Sequence, residues 1–124
     1  MQYMLLLYND EKVWASLSDE ERAAIVREYF TLTDKLRAQG KYVAGAPLRP
    51  TETATTVRVR DGERLLTDGP FAETKEQLGG YFLIDAESAE EALAWAARIP
   101  AARYGCVEVR PVLPVGAEVG AGSE

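Results

Sequence analysis

SDEERAAIVREYFTLTDKLRAQG, residues 18–40, has the pattern of one complete amphipathic helix. Ser18 and Glu21 have the spacing of a capping box, in which a hydroxyl and a carboxylate satisfy free amides of the first turn. Apolar residues recur on one helical face at offsets of four, seven and eleven; they are Ile25, Tyr29, Leu32 and Leu36. Gly40 is typical of the position that ends a helix. We therefore predict a helix over residues 19–39.

Strand patterns lie on both sides of this helix. Residues 2–9 form a nearly continuous apolar run of strand length, and residues 41–46 form a second candidate strand that ends before Pro47. Residues 10–17, between the first strand and the helix, are interpreted as a loop or short turn. The first third of the chain therefore predicts a β-α-β unit.

A hairpin follows this unit. Residues 55–60 alternate as a half-buried strand does, Asp61-Gly62 is a strong two-residue turn signal, and residues 63–67 return as the partner strand. The segment therefore predicts a β-hairpin inserted into the chain.

The remainder repeats the first unit. Residues 79–84 predict a strand that is entered through two glycines. The spacing of Ser88 and Glu91 predicts a second capping box, which begins a helix that Pro100 ends. Residues 104–110 predict the last strand. The order is again β-α-β.

Two split β-α-β units around a hairpin predict an α+β, ferredoxin-like βαββαβ fold, with an antiparallel sheet and both helices on one face. Residues 3–8 and 81–84 are apolar at both alternating sets of positions. The second face of the sheet must therefore be covered, since a large exposed apolar patch is unusual in a monomer. The simplest cover is the same face of a second chain, so we predict a homodimer packed sheet to sheet.

Composition narrows the classes of function. A chain of 124 residues has the size of one domain, and 47% apolar with 27% charged residues is a globular mixture. The chain contains no histidine. This excludes a histidine general base, Ser-His-Asp and Cys-His triads, and every metal site built on imidazole. We predict neither a metal nor a cofactor.

Charge and cysteine content bear on partners and location. The net charge of −6 disfavours direct nucleic-acid binding. The apolar N-terminal run lacks a basic start and is too short for a signal peptide or a membrane span. The single cysteine, Cys106, cannot form an intrachain disulfide, which fits a reducing compartment. We expect a cytoplasmic protein with no membrane partner, in which Cys106 is a buried, inert thiol.

TDGPFAETKEQLGGY, residues 67–81, resembles the signature of the DGPF family, a branch of the YCII-like domains. The opening MQYMLLLYNDE, the segment GKYVAGAPL and the closing VEVRP resemble that family as well. The resemblance implies a ferredoxin-like chain that dimerises into an α+β barrel with a cleft near the interface. It also implies an association with sigma factors of the extracytoplasmic-function type. We assign residues 1–113 to this domain and residues 114–124 to a flexible tail.

The resemblance points first to Asp68. In YCII-like proteins thought to be enzymes, a histidine and an aspartate form the presumed acid–base pair. Asp68 matches the aspartate, and the histidine has no counterpart in this chain. The carboxylate of Asp68 is interpreted either as a base or ligand anchor beside the cleft, or as a cap on the Gly69-Pro70 turn.

Several further side chains are candidates for the site, each with a structural alternative. Glu73, Lys75 and Glu76 either bind a polar ligand or form a surface ion-pair set. Tyr8 and Tyr81 either line a pocket on the sheet or pack in the core or interface. Arg49 either clamps a carboxylate or is simply exposed to solvent. Gly79-Gly80 either allows the close approach of a ligand or a second backbone, or forms a β-bulge at the strand entry.

Two functions follow from these residues. The first is a dimer that binds a small polar molecule or a partner protein in its inter-sheet cleft, and the missing histidine favours it. The alternative is a cofactor-free enzyme of lyase or isomerase type, in which Asp68 is the acid/base and Lys75 or Tyr81 supplies electrostatic help.

Overall fold

A computed structural model describes residues 1–115 of the chain. The elements, in chain order, are β1 (Gln2–Asn9), α1 (Glu11–Ser16), α2 (Asp19–Ala38), β2 (Tyr42–Pro47), a 3-10 turn (Thr51–Thr53), β3 (Thr55–Arg60), β4 (Glu63–Asp68), β5 (Gln77–Asp85), α3 (Ala89–Ala97), α4 (Ala101–Tyr104) and β6 (Cys106–Pro111). Most of the predicted tail, from residue 116 onward, lies outside the described residues, so the boundary at residue 113 stays a prediction.

The strand order confirms the ferredoxin-like prediction. Four strands form an antiparallel sheet in the order β2-β5-β1-β6. The first and third strands of this sheet along the chain, β1 and β5, are its central pair, as the split β-α-β arrangement requires. The strands β3 and β4 form a separate two-stranded sheet, which is the predicted hairpin.

The hairpin turn has the backbone that its sequence predicts. Asp61 and Gly62 both have positive φ, at 52° and 79°. A two-residue turn of this kind needs positive φ at both positions, and aspartate and glycine tolerate it best.

Local signals place α2 where the sequence predicts it. The Ser18 hydroxyl accepts from the Glu21 amide at 3.1 Å, and the Glu21 carboxylate accepts from the Ser18 amide at 2.8 Å. The bond from the Ser18 backbone lowers the pKa of Glu21, because it stabilises the charged form. At the other end, Gly40 has φ of 70°, the left-handed conformation that terminates helices.

Alternation along the strands sends one set of side chains to the helices. Tyr3, Leu5 and Leu7 of β1 face α2 and α3 and are buried. The core between sheet and helices has thirteen buried members, which are Tyr3, Leu5, Leu7, Leu32, Leu36, Phe82, Ile84, Ala86, Ala92, Trp95, Ala96, Ile99 and Ala101. Residues from α2 and α3 share this one cluster, so both helices cover the same face of the sheet.

Two short helices were not predicted. Residues 10–17 hold α1, where Asp10 caps the first turn by accepting from the Lys12 amide at 2.9 Å. Residues 101–104 form α4, so the last strand begins at Cys106 and not at Tyr104. Helices of six and four residues are too short to show the apolar periodicity that reveals longer ones.

The second predicted capping box is half correct. The Ser88 hydroxyl accepts from the Glu91 amide at 3.1 Å. The Glu91 carboxylate accepts instead from the Glu87 amide at 2.8 Å and from the Trp95 indole at 3.2 Å, and it lies 3.3 Å from the Lys41 ammonium. These partners lower the pKa of Glu91, the Glu87 amide most of all. The side chain therefore links α3 to the start of β2.

None of the helices in the described part of the chain is long and apolar enough to cross a membrane.

The core predicts a large penalty for truncating its central residue. Leu5 is fully buried on β1 between the two helices, so we expect Leu5→Ala to cost about 2–5 kcal/mol of unfolding free energy, from lost burial and from the cavity left behind. Urea denaturation measures it. Leu93→Ala is the control, because Leu93 lies on α3 with 55% of its surface exposed. A loss below 1 kcal/mol at Leu5 would contradict this description of the core.

Candidate functional site

Within residues 1–115, no helix covers the face of the sheet opposite α2 and α3. We call it the open face. Because strand pairs place partners side by side, its residues form three rows across the sheet; these are Ala44, Leu83, Met4 and Arg110, then Ala46, Tyr81, Leu6 and Glu108, then Leu78, Tyr8 and Cys106. The first two rows are apolar at the centre, and charged side chains stand on the β6 edge.

The two predicted tyrosines both lie on this open face. Tyr8 is on β1 and Tyr81 is on β5, and both are half-buried. They belong to neighbouring rows on adjacent strands, since Tyr81 pairs with Leu6 and Tyr8 pairs with Leu78. The structure therefore brings these two phenols to one surface, away from the helical core.

A polar chain runs from Tyr8 along β6. The Tyr8 hydroxyl donates to the Glu108 carboxylate at 3.1 Å, and the Arg110 guanidinium lies 3.5 Å from the same carboxylate. Desolvation raises the pKa of Tyr8, and the bond to Glu108 raises it further, since the neutral phenol is the donor. Glu108 and Arg110 were not among the site residues predicted from the sequence. The alternation of VEVR could have identified them, because Val107 and Val109 face the core.

Cys106 corrects a prediction. It is exposed on the open face, not buried, because the alternation of β6 turns Val107 and Val109 to the core and Cys106 away from the helices. The thiol lies 3.7 Å from the Glu76 carboxylate. Desolvation, together with this negative neighbour, raises the pKa of Cys106, so the thiol is kept protonated.

Asp68 ends β4, and its carboxylate is exposed. Within residues 1–115 it accepts no hydrogen bond and forms no ion pair, so the interpretation of Asp68 as a side-chain cap is wrong. Two hydrogen bonds to the backbone of Gly69 hold this turn instead. The Gly69 amide donates to the Ala54 carbonyl at 2.7 Å, and the Thr56 hydroxyl donates to the Gly69 carbonyl at 2.8 Å. Gly69 supplies the bend itself, with φ of 100°.

The charged group after the turn is dispersed. Glu73 and Lys75 are exposed, whereas Glu76 is half-buried and reaches Cys106. In the part of the chain that the structure describes, no ion pair joins any two of these three, so the predicted ion-pair set does not form. Arg49 is exposed in the segment after β2. The structure therefore joins Glu76 to the Tyr8 end of the open face and leaves Asp68, Glu73, Lys75 and Arg49 free of polar partners among the described residues.

The paired glycines serve the sheet. Gly79 is the extra residue of a β-bulge, because Leu7 pairs with Gly80 and Tyr8 pairs with Leu78. At Gly80, an added Cβ would lie 2.9 Å from the Ala46 carbonyl oxygen, so the neighbouring strand needs a glycine there. The predicted β-bulge is therefore confirmed, and the close approach at Gly80 is that of a second backbone.

No metal centre is indicated within residues 1–115, where no group of three or more histidine, cysteine or acidic side chains could hold an ion. A hollow of about 500 Å³ lies on the outer surface of α2, near Arg27, Lys35 and Arg98. It is on the helical side of the molecule, so it is separate from the open face.

The Tyr8–Glu108 contact predicts a measurable titration. Glu108→Gln removes the carboxylate that favours the neutral phenol, so we expect the pKa of Tyr8 to fall. Nuclear magnetic resonance of ¹³C-labelled tyrosine rings measures it, with Tyr8→Phe to assign the signal. Glu90→Gln is the control, because Glu90 is an exposed carboxylate on α3, which packs on the face of the sheet opposite Tyr8. An unchanged Tyr8 titration in Glu108→Gln would contradict the contact.

Comparison with known proteins agrees with this architecture. The chain is 44% identical over 114 residues to an uncharacterised protein of Rhizobium meliloti (strain 1021), and the alignment covers 90% of this chain and 92% of that protein. The fold of the present chain is similar to that of a solved structure, 5-chloro-2-hydroxyhydroquinone dehydrochlorinase (TftG) from Burkholderia phenoliruptrix in complex with 2,5-dihydroxybenzoquinone. The TM-score is 0.52 at 16% identity, over 91% of this chain and 94% of that one. A profile of the YCII-related domain matches residues 1–116, and the chain therefore belongs to the YCII-related family.

Proposed function

We propose that the protein is a homodimer that binds a small polar molecule in a cleft between two open sheet faces. The observation that carries the proposal is the open face itself. It has an apolar centre at Met4, Leu6 and Leu83, tyrosine hydroxyls beside that centre, and charged groups on its β6 edge. The described residues of a single chain place no helix over this surface.

Exposed apolar groups outside the sheet support the dimer. Val57, Val59 and Leu66 lie on one face of the hairpin, and each exposes more than half of its surface. Phe71, just after the Gly69-Pro70 turn, is 79% exposed. Exposed apolar surface on this scale marks interaction sites in soluble proteins. A second copy can cover this apolar surface, since in a two-fold symmetric dimer the same surface patch of each chain supplies half of the interface.

The polar groups suit a hydroxylated ring as ligand. Tyr8 and Tyr81 offer phenols that donate and accept hydrogen bonds, and their rings can stack on a planar molecule. Arg110 and Lys75 offer cations for an ionised hydroxyl or carboxylate. The fold neighbour's complex with 2,5-dihydroxybenzoquinone makes that compound the first probe, because it is small, planar and polar.

Binding can be tested with this probe and two matched variants. We expect 2,5-dihydroxybenzoquinone, at a hundred times its dissociation constant, to stabilise the wild type by about 2.7 kcal/mol, seen as a rise in melting temperature. Asp68→Asn should reduce the rise, if its free carboxylate anchors the ligand, without changing the melting temperature of the free protein. Asp61→Asn is the control, because Asp61 is an exposed carboxylate at the hairpin tip.

Two results would contradict these expectations. No shift in the wild type with this probe or with a panel of small polar metabolites would contradict small-molecule binding. Equal shifts in wild type and Asp68→Asn would remove Asp68 from the site.

A second candidate function is catalysis of the lyase or isomerase type, with Asp68 as acid/base. The unpaired state of the Asp68 carboxylate among the described residues favours it, since a base must be free to take a proton. The group is exposed in one chain, however, and needs the second copy to exclude water from it. An enzyme that uses Asp68 should have an acid limb in its rate–pH profile, and Asp68→Asn should remove that limb.

Association with a sigma factor and a cytoplasmic location stay predictions from the sequence. A pull-down with extracytoplasmic-function sigma factors of the source organism tests the first. Failure to retain any of them would remove the regulatory setting and leave small-molecule binding unaffected.

A further inference from the structure

The segment that joins β4 to β5, residues 69–76, contains most of the candidate charged side chains. We call it the site loop. It contains no helix or strand, so contacts at its two ends decide where it lies. Hydrogen bonds connect both ends to one residue, Glu11, at the start of α1.

The first end is reached through the 3-10 turn. The Glu11 carboxylate accepts two bonds from Thr51, one from its amide at 2.9 Å and one from its hydroxyl at 2.8 Å. The Thr51 carbonyl accepts from the Ala54 amide at 3.0 Å, and the Ala54 carbonyl accepts from Gly69. Gly69 is the first residue of the site loop and follows Asp68 directly.

The other end is reached through the Glu11 backbone. The backbone amide of Glu11 donates to the side-chain oxygen of Gln77 at 2.9 Å. The side-chain nitrogen of Gln77, Nε2, donates to the Thr74 carbonyl at 2.6 Å. The contacts of Glu11 with Thr51 and Gln77 are partly buried. Water competes with them less than with exposed bonds, and bonds to a carboxylate are among the stronger ones.

We propose that Glu11 is a positioning residue, whose carboxylate and amide together fix both ends of the site loop and so orient Asp68. The loop has no regular structure of its own, and this bonding explains how a defined position is kept. It also explains why α1, a helix of six residues with no buried member, is present between β1 and α2. The consequence for ligand binding rests on the proposed function.

Hydrogen exchange tests the positioning role without any ligand. In Glu11→Ala we expect the backbone amides of Thr51 and Gly69 to exchange with solvent about tenfold faster or more. This is the change in local opening expected when a hydrogen bond to a charged group is lost. Core amides such as that of Leu5 should keep their wild-type rates. Glu52→Gln is the matched control, because Glu52 is an exposed carboxylate one residue from Thr51.

A conservative pair covers the case in which Glu11→Ala does not fold. Thr51→Val removes the hydroxyl donor and should speed exchange at Gly69, whereas Thr51→Ser keeps the donor and should restore the wild-type rate. If Gly69 exchanges at the wild-type rate in Thr51→Val or in folded Glu11→Ala, the positioning role is contradicted. Uniformly faster exchange across the core would also contradict it, since that shows a general loss of stability.

The ligand experiment separates this inference from the proposed function. If the wild type binds 2,5-dihydroxybenzoquinone, Glu11→Ala should bind it about tenfold more weakly, because the loop samples other positions. Exchange that changes at Gly69 with unchanged affinity would show that the loop is held by Glu11 but does not serve that ligand. A wild type that does not bind overturns only the proposed ligand, and the exchange result still decides the role of Glu11.

Discussion

A four-stranded sheet has two faces, and the helices among residues 1–115 cover only one of them. The rest of the structure depends on that constraint. Leu5 and Ile84, at the centre of the covered face, are fully buried under α2 and α3. On the same two strands, Leu6 and Leu83 turn to the other side, where the described residues provide no cover. Burial of apolar surface is the main favourable term in folding and association, so binding of a second molecule over the open face is favourable.

The same alternation decides which chemistry is available. The two tyrosines, Cys106 and the Glu108–Arg110 pair come to one surface because each occupies an outward position on its strand. The site loop, which contains Glu73 and Lys75, is not part of the four-stranded sheet, and hydrogen bonds that involve Glu11 hold its ends. The candidate site is therefore assembled from a rigid part, the strands, and a part positioned by side-chain bonds. In this YCII-related protein without histidine, the polar groups of the proposed site are phenols, carboxylates and the cations of Lys75 and Arg110.

Sequence reasoning succeeded where a long periodic signal or a specific turn was present. The helix from Asp19, the Asp61-Gly62 hairpin and the split β-α-β order were all predicted, because each spans enough residues to show a pattern or uses residues with special backbone preferences. The short helices α1 and α4 were missed for lack of length. Cys106 was misplaced because its burial was inferred from the apolar run around it, whereas the alternation of β6 turns Val107 and Val109 to the core and Cys106 to the open face. The bonds of Glu11 could not be predicted, since they join residues forty and sixty-six positions apart.

The central claim is that a second copy covers the open face. The most direct test is the mass in solution by light scattering at micromolar concentration, for wild type, Leu6→Glu on the open face, and Leu93→Glu on the outer surface of α3. We expect about twice the 13.6 kDa chain mass for wild type and Leu93→Glu. For Leu6→Glu we expect the single-chain mass, with an unchanged circular dichroism spectrum, because the substitution places a charge in the apolar interface of the proposed dimer. A wild type at 13.6 kDa, or a Leu6→Glu variant that stays dimeric, would contradict the central claim.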